Sequence, residues 1–545
     1  MQDVNLSKYQ REKLIKLCEE LKIKSPEDAV AINNLIQFIR DQKYGLSFEK
    51  HQEQIDADLI TKIPVFVEDE SKRVSLATSP EGPTPYNFLL EGDNLHSLKL
   101  LEKTHKGAID VIYIDPPYNT GNEFRYNDKI IGKDDGYRHS KWLSFMSQRL
   151  QIAYKLLSTS GIIFISIDDN EYANLKVLCD SIFGENNVDT MIWRKSGVGR
   201  DGKMKNTTTF RKDHEYVIVC FKEVKQLNKI KELPNFSNEY TNADNDQRGP
   251  WMSGSLSRSD KASNPNHQNY YTVISPSGKK ITRQFEVSKE EFDKLNKDNR
   301  ISWGKNGDSV PRIKVFINEE REVTPYSMLL TKGTTTEGTK ELNTILAGDY
   351  TEMRPKPSTL IKALLQIGSK SNSICLDFFA GSGTTGQAVL ELNKEDGGNR
   401  KFILCTNNEA NICEEITYQR LKTIMTGNRA DDSAYSDGIP ANLKYFKAEM
   451  IERNDDDLDE KLLDASIPLI ELENFEDIKD TNSSVFIAYS DEDLDDFEAE
   501  FDITTNRIKT IYIAEDVCMS ESQEQLFEFN EIKVKTIPNN YFREM

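Results

Sequence analysis

The residues best suited to chemistry form a short turn, Asp115-Pro116-Pro117-Tyr118, which follows the apolar run Ile109–Ile114. The run is rich in β-branched residues and predicts a buried strand. Ligands of open α/β sheets bind at the carboxyl ends of the strands. Because each proline fixes φ and lacks a backbone N–H, the turn rigidly presents carbonyl oxygens, one carboxylate and one aromatic ring. These groups suit a substrate with an amino group on a flat ring, although a loop entry with a capping aspartate is the alternative interpretation.

A second candidate site follows the apolar run 374–379, where the chain reads Ala380-Gly381-Ser382-Gly383-Thr384-Thr385-Gly386. Glycines in such a loop let a ligand approach backbone N–H groups at the start of the next helix. The loop satisfies G-x-G-x-x-G, and Glu409 lies 26 residues after Gly383, so a dinucleotide-dependent oxidoreductase is one interpretation. A Walker loop is excluded because no Gly-Lys-Ser/Thr sequence follows.

A third polar turn, Gly92-Asp93-Asn94, follows the apolar segment 87–90 and precedes a leucine-rich helical pattern. At the rim of a sheet, the Asp93 carboxylate can accept hydrogen bonds from a nucleoside. It can equally cap the helix that follows it.

Two of these motifs resemble those of one enzyme family. Asp115-Pro116-Pro117-Tyr118-Asn119-Thr120-Gly121 resembles the catalytic motif of amino-group DNA methyltransferases, in the form typical of adenine-N6 enzymes. The segment 377–385, reading D-F-F-A-G-S-G-T-T, is similar to the cofactor motif of the same enzymes. The catalytic strand precedes the cofactor strand, which is the permuted order of the β class. The resemblance covers roughly residues 86–425, and segment 165–171 and the terminal extensions look most like the modification (Mod) subunit of a Type III restriction-modification system.

This resemblance implies S-adenosylmethionine as the cofactor and double-stranded DNA as the substrate. Asp115 and the Pro116 carbonyl would accept the amine hydrogens of an adenine flipped out of the duplex, with Tyr118 as the stacking platform. The implied catalytic residues are Asp115, Pro116, Pro117 and Tyr118. The implied cofactor-binding residues are Asp93, Asn94, Lys356, Asp377, Phe379, Ala380, Gly381, Ser382, Gly383, Thr384 and Glu409. In the family, the phenylalanine lies against the cofactor and the acidic residue after the next strand takes the ribose hydroxyls. The mechanism requires no metal.

The elements that position these residues alternate as strand and helix, with continuous apolar strands, which is typical of a parallel sheet covered by helices. We therefore predict an α/β fold with a Rossmann-like doubly wound methyltransferase sheet. The predicted domains are a helical N-terminal extension (1–60), a catalytic half (61–222), an inserted target-recognition module (223–351), a cofactor half (352–430), and an acidic linker with a small α/β C-terminal domain (431–545). The module is rich in hydrogen-bonding side chains, which suit the reading of base edges.

The net charge of −20 is unevenly distributed. Residues 431–545 hold 10 Lys and Arg against 31 Asp and Glu, whereas residues 1–430 hold 60 against 59. An acidic C-terminal region would repel DNA, so we predict a protein interface there, either for a homodimer or for a restriction and translocase (Res) subunit, with a solvated surface as the alternative. The seven cysteines include no C-x-x-C pair and predict reduced core residues. With no signal peptide or membrane-spanning run, the expected location is the cytoplasm.

Several functions stay open on the sequence alone. A solitary DNA methyltransferase without a nuclease partner fits the same motifs, and so does methylation of cytosine N4, although Ser more often replaces the first Asp in that group. The less favoured alternatives are the nicotinamide-dependent oxidoreductase and an inactive subunit that only recognises DNA. The intact Asp-Pro-Pro-Tyr turn argues against the inactive subunit.

Overall fold

The computed structural model describes residues 8–24, 32–33, 36, 48–49, 53–78, 84–120, 137–197, 210–233, 240–502 and 506–542. These residues form two compact units, one from residues 1–226 and 326–545 and the other from Leu227–Pro325. Among the described helices, none has both the length and the apolar character needed to cross a bilayer.

The first unit contains nearly all the helices. They are Lys8–Lys24, Gln54–Thr61, Asn94–Thr104, Arg138–Leu156, Tyr172–Phe183, Thr335–Leu346, Ser358–Gly368, Thr384–Asp396, Gln419–Thr426, Leu458–Asn474, Asp491–Glu500, Glu521–Phe529 and Asn539–Phe542, with Lys289–Lys297 in the second unit. In chain order the strands are β1 (Lys62–Glu68), β2 (Val74–Ser75), β3 (Tyr86–Glu91), β4 (Ile109–Ile114), β5 (Leu157–Ile167), β6 (Val188–Arg194), β7 (His214–Phe221), β8 (Ile230–Glu232), β9 (Trp251–Gly254), β10 (Tyr270–Ile274), β11 (Lys280–Gln284), β12 (Ile301–Ser302), β13 (Arg312–Phe316), β14 (Arg321–Val323), β15 (Met328–Leu329), β16 (Ile374–Asp377), β17 (Lys401–Thr406), β18 (Asn442–Glu452), β19 (Val485–Ala488), β20 (Thr510–Ala514) and β21 (Lys533–Ile537).

The main sheet has the strand order β1-β18-β3-β17-β16-β4-β5-β7-β6-β15, with β2 paired to β18. Strands β18, β3, β17, β16, β4 and β5 are parallel to one another, whereas β1 is antiparallel to β18, and β7 is antiparallel to both β5 and β6. The apolar side chains of β3, β4 and β5 are almost completely buried, because helices cover both faces of such a sheet. The predicted doubly wound α/β fold is confirmed.

The C-terminal region, residues 431–545, packs into the main sheet, which its acidic composition did not suggest. Asn442–Glu452 pairs with β1 on one side and β3 on the other, so this strand lies inside the main sheet. The charged segment 454–460, predicted as a linker, leads directly into the helix Leu458–Asn474, whose Leu469 and Ile470 belong to the main core. Net charge did not reveal this packing because it is a sum over a whole segment, whereas packing depends on the apolar face of each element, here Leu462, Leu469 and Leu472 of the helix.

Beyond this helix, β19, β20 and β21 form a small parallel sheet with the helices Asp491–Glu500 and Glu521–Phe529. The cluster of Leu494, Ile511, Ile513 and Phe527 forms its core, while Tyr512 and Tyr541 pack into the main core. This part is therefore a small α/β element that is attached directly to the main sheet.

The second unit is built from short antiparallel strands, in the arrangements β12-β13-β9, β10-β11 and β14-β8. Its core consists of Leu256, Val273, Ile281, Phe285, Phe292, Ile301 and Trp303. Residues 326–351, which the sequence grouped with the inserted module, belong to the first unit, where β15 pairs with β6. The compact part of the predicted target-recognition module is therefore Leu227–Pro325.

Of the predicted helical N-terminal extension (1–60), the helix Lys8–Lys24 is described, and its Cys18 packs against Ile36. Most of residues 25–52 lie outside the described residues, as does segment 121–136.

Candidate functional site

The strand order brings the three polar turns to one edge of the sheet. β4 is the parallel neighbour of β16, β16 of β17, and β17 of β3. Because these strands run in the same direction, Asp115, Asp377 and Gly92 all follow carboxyl ends at the same edge. The glycine loop and the Asp-Pro-Pro-Tyr turn thus follow adjacent strands.

The carboxylate of Asp115 is held by two partners. The Lys356 ammonium donates to its Oδ1 and Oδ2 at 2.9 and 2.8 Å, and the Tyr118 hydroxyl donates to Oδ1 at 2.7 Å. The Lys356 ammonium also contacts the Tyr118 hydroxyl oxygen at 2.8 Å. Lys356 was expected among the cofactor-binding residues, and its side chain contacts the turn Asp115-Pro116-Pro117-Tyr118, called here the acceptor turn.

A second buried carboxylate, Glu215, completes this cluster. Its Oε2 lies 3.5 Å from the Lys356 ammonium and 3.3 Å from the Tyr118 hydroxyl, and its Oε1 accepts from Lys195 at 3.2 Å. Burial opposes the charge of Lys356, but the carboxylates of Asp115 and Glu215 outweigh it and raise the pKa of this lysine. Burial likewise works against the Glu215 carboxylate, but the two ammoniums prevail and lower its pKa.

The Tyr118 phenol keeps its proton in this setting. Burial, followed by the charges of Asp115 and Glu215, raises its pKa well above the ordinary value. The phenol therefore remains a hydrogen-bond donor to the carboxylates at neutral pH.

Further hydrogen bonds fix the backbone of the turn Asp115-Pro116-Pro117-Tyr118 and the residue that follows it. The Trp142 indole N–H donates to the Pro117 carbonyl at 2.7 Å. Asn119, with φ of 54°, donates its amide to Glu171 at 2.5 Å, and the imidazole of His139 lies 2.6 Å from the same carboxylate. Glu171 is fully buried, so one interior carboxylate links the end of the turn to the start of the helix Arg138–Leu156. Among the described residues, no backbone N–H donates to the Pro116 carbonyl.

The glycine loop is ordered around Asp377. Its Oδ1 accepts from the Phe379 backbone N–H at 3.0 Å and its Oδ2 from the Thr385 hydroxyl at 2.5 Å. Gly381 and Gly383 have φ of 49° and 77°, left-handed values that glycine adopts without strain, and Gly383 precedes the first residue of the helix Thr384–Asp396. The loop therefore places the N-terminus of this helix beside two glycines, which have no side chain to block a ligand.

Two observations fit this loop to an adenosine-bearing cofactor. The Phe379 ring is half-buried and packs against Phe145, with ring centroids 5.9 Å apart. After the neighbouring strand β17, Asn407 has a buried Oδ1 without a hydrogen-bond partner within the described structure. Such an orphaned acceptor at the rim of the loop can take an amino hydrogen of an adenine ring.

Asp93 and Asn94 support the loop from β3. Asp93 caps the helix Asn94–Thr104 by accepting the Leu95 N–H at 2.7 Å. The Asn94 amide donates to the Phe378 carbonyl at 2.8 Å and its oxygen accepts from Arg149 at 2.6 Å. The structure thus makes Asp93 a helix cap, and it joins Asn94 directly to the glycine loop.

The remaining predicted residues lie on the same edge. Ala380, Ser382 and Thr384 belong to the glycine loop, where the buried Arg420 guanidinium donates to Ser382 and Thr384 hydroxyls at 3.1 and 2.8 Å. Glu409 is exposed in the short turn after β17. The described residues contain no group of three or more His, Cys, Asp or Glu side chains arranged to hold a metal ion.

Sequence reasoning missed Glu215, Lys195, Glu171, His139 and Asn407. A weak signal was present for Glu215, a charged residue at the start of the apolar segment 216–221. Only the antiparallel pairing of β7 with β6, in which Trp193 lies opposite Glu215, places this residue at the edge that carries Asp115.

We expect Asp377 to make the stability of the protein depend on pH. Burial raises the pKa of this carboxyl from 3.8 to about 7, against the hydrogen bonds from Thr385 and Phe379. Between these values the native carboxyl holds a proton that the unfolded chain has released, so stability falls as the pH rises from about 4 to about 7, by up to ~4 kcal/mol.

Asp377→Asn should remove this component. The wild type loses this stabilisation between pH 5 and pH 8, whereas the variant does not. We therefore expect the melting temperature of the variant minus that of the wild type to be larger at pH 8 than at pH 5. Melting curves of both proteins at the two pH values measure this, and an equal difference in melting temperature at the two pH values would contradict the assignment.

In comparisons with known proteins, a family model described as DNA methylase (N6/N4) matches residues 109–419. The chain is 32% identical over 425 residues to the Mod subunit of the Type III restriction-modification enzyme StyLTI from Salmonella typhimurium, covering 70% of this chain and 63% of that protein. It is 28% identical over 438 residues to the EcoP15I Mod subunit from Escherichia coli, covering 68% and 66%. It is 34% identical over 393 residues to the Type II methyltransferase M.KpnI from Klebsiella pneumoniae, covering 66% and 90%.

These matches confirm the resemblance to Type III Mod subunits. The chain spans about two thirds of the length of the two Mod subunits and most of the length of the Type II enzyme.

Proposed function

Since the chain belongs to the N6/N4 DNA methylase family, we propose that it transfers the methyl group of S-adenosylmethionine to N6 of an adenine in double-stranded DNA. The observation that carries this proposal is the placement of the acceptor turn and the glycine loop at the ends of the adjacent parallel strands β4 and β16. A methyl donor held by one loop and an amine held by the other meet at this edge.

The cofactor would be held by the loop around Asp377, together with Phe379, Asn94 and Glu409. When bound, S-adenosylmethionine supplies an electrophilic methyl group on a sulfonium. The Phe379 ring offers an apolar face, and the loop N–H groups and the buried Asn407 oxygen offer polar contacts. The fixed loop geometry reduces the entropic cost of aligning donor and acceptor.

The acceptor turn would activate the amine. An exocyclic adenine nitrogen is a poor nucleophile because its lone pair is delocalised into the ring. The Asp115 carboxylate and the Pro116 carbonyl each accept one amine hydrogen, which localises the lone pair toward the methyl group. Tyr118, whose hydroxyl is anchored to Asp115 and Glu215, holds the flipped base against its ring.

As a partner assignment, we propose that the chain is the modification and recognition subunit of a Type III restriction-modification complex. Leu227–Pro325 is then the module that reads bases, and the acidic C-terminal part contacts a second copy or a Res subunit. The Mod relatives support this assignment, and the surplus of acidic residues after position 430 favours a protein over DNA as the partner of this part.

The decisive experiment follows label from S-adenosylmethionine carrying a tritiated methyl group into DNA from a host without the protein. We expect the label to enter DNA and, after digestion to nucleosides, to co-migrate with N6-methyl-2′-deoxyadenosine. Label in N4-methyl-2′-deoxycytidine would overturn the choice of base, and the absence of incorporated label would overturn the proposed activity. Single-molecule sequencing of DNA from a host that carries the protein then gives the recognition sequence.

A further inference from the structure

The Asp115 carboxylate already carries a cation. Both of its oxygens accept from the Lys356 ammonium, at 2.9 and 2.8 Å, and Oδ1 also accepts from the Tyr118 hydroxyl. The side chain of Lys356 is 10% exposed and that of Asp115 is 31% exposed, so bulk water screens this pair only in part. The ammonium occupies the hydrogen-bonding positions that an incoming amine needs.

An amine can bind Asp115 only if this ammonium moves away from it. A buried ammonium without a counter-charge is costly, by several kcal/mol, so it needs another carboxylate within reach. Glu215 meets this need because its Oε2 lies 3.5 Å from the same ammonium, and its side chain is 11% exposed. Tyr118 donates toward both carboxylates and lies between them, at 2.7 Å from Asp115 and 3.3 Å from Glu215.

The charges of the cluster balance, with two carboxylates and two ammoniums. Asp115 and Glu215 are the carboxylates, and Lys356 and Lys195 are the ammoniums, with Lys195 bound to the far oxygen of Glu215 at 3.2 Å. A shift of the Lys356 ammonium from one carboxylate to the other leaves this balance unchanged. A small side-chain movement therefore frees the acceptor without creating an unpaired charge.

We propose that Lys356 is a placeholder for the target amine, and that Glu215 is the positioning residue that receives its ammonium when the amine binds Asp115. Before the base enters, the placeholder binds both oxygens of the Asp115 carboxylate and the Tyr118 hydroxyl, and so holds the turn in place. This inference rests on the proposed methyl transfer.

The test compares single and double variants on a duplex that contains the mapped recognition sequence. In Glu215→Gln, Lys356 has no second carboxylate, so we expect kcat to fall by about 30-fold, the order of a lost charge-assisted hydrogen bond. The dissociation constants for S-adenosylmethionine and DNA should stay within about twofold. In the double variant Glu215→Gln/Lys356→Met no ammonium needs to move, and we expect at least about a tenfold recovery of kcat over Glu215→Gln.

The matched control is Glu223→Gln, an exposed carboxylate just beyond the other end of β7, which should keep the wild-type kcat. Glu215→Asp keeps the charge but shortens the side chain, and we expect an intermediate kcat that Lys356→Met again improves. If Glu215→Gln does not fold, this second pair gives the same test.

A wild-type kcat in Glu215→Gln, or a double variant no faster than the single one, would overturn the proposal. Weakened cofactor binding in Glu215→Gln would also overturn it, by making the role of Glu215 structural. Methyl transfer by the wild-type protein in the same assay is scored separately, so the proposed function can stand while this inference fails.

Discussion

Asp115→Ala is expected to lower methyl transfer by about a thousandfold or more, while S-adenosylmethionine binds within about twofold of the wild-type affinity. The variant loses the charged acceptor that would bind the amine and localise its lone pair. The cofactor loop follows the neighbouring strand β16 and is ordered by Asp377, so its geometry does not depend on Asp115. Lys356 keeps Glu215 as a partner, so the variant should fold.

Rates of tritium transfer and equilibrium dialysis with labelled cofactor measure these two effects. The matched control is Asp189→Ala, which removes a half-exposed carboxylate from β6 that pairs with Lys225. We expect the control to methylate DNA at the wild-type rate. Full activity in Asp115→Ala would refute the assignment of the acceptor, and loss of cofactor binding in it would show that the two loops are not independent.

Lys444→Met is expected to destabilise the protein by about 3–5 kcal/mol, because it removes the cation from a buried cluster of charges. Lys444 lies on β18 with its side chain fully buried. Its ammonium is 2.6 Å from Glu471, 3.4 Å from Glu68 and 3.3 Å from Asp477. Without it, the cation that the described residues still pair with Glu68 and Asp477 is Arg73.

The cluster joins the C-terminal helix to the main sheet. Glu471 lies on the helix Leu458–Asn474, and burial raises its pKa to about 7, against the opposing effect of Lys444. Removing Lys444 should raise this pKa further. The loss of stability is therefore expected to be larger at pH 8 than at pH 6, where protonation of Glu471 relieves the repulsion.

Urea unfolding followed by circular dichroism measures this effect. Lys447→Met on the same strand is the matched control, since its ammonium is 37% exposed and pairs with Asp69 and Glu414 at 3.3 and 3.5 Å. We expect the control to lose no more than about 1 kcal/mol. Equal losses in the two variants would contradict the account of a buried cluster.

The strand that carries Lys444 also shows why the charge composition of residues 431–545 led to the prediction of a linker. The sum over residues 431–545 is strongly acidic, yet the first strand of this region, Asn442–Glu452, has a buried half that includes Leu443, Tyr445 and Phe446. A single strand of this kind is indistinguishable in sequence from one in a separate domain. Only pairing with β1 and β3 assigns it to the methyltransferase sheet.

The sequence alone determined the fold class, the acceptor turn and the glycine loop. Each depends on contiguous residues: apolar β-branched runs predict buried parallel strands, two prolines make a rigid turn, and Gly381 and Gly383 permit a left-handed backbone. Asp115 and Asp377 could therefore be identified before any contact was known.

The tertiary structure alone decided which other side chains surround these residues. Lys356 is 241 positions from Asp115 in the sequence. Glu215 lies near Lys356 only because β7 runs antiparallel to its neighbours, so that the first residues of β7 lie at the edge of the sheet that carries Asp115. Hydrogen bonds and ion pairs act over a few ångströms, whereas sequence patterns report only local conformation. The order and direction of the strands thus determined that the Asp115 carboxylate shares its cation with Glu215.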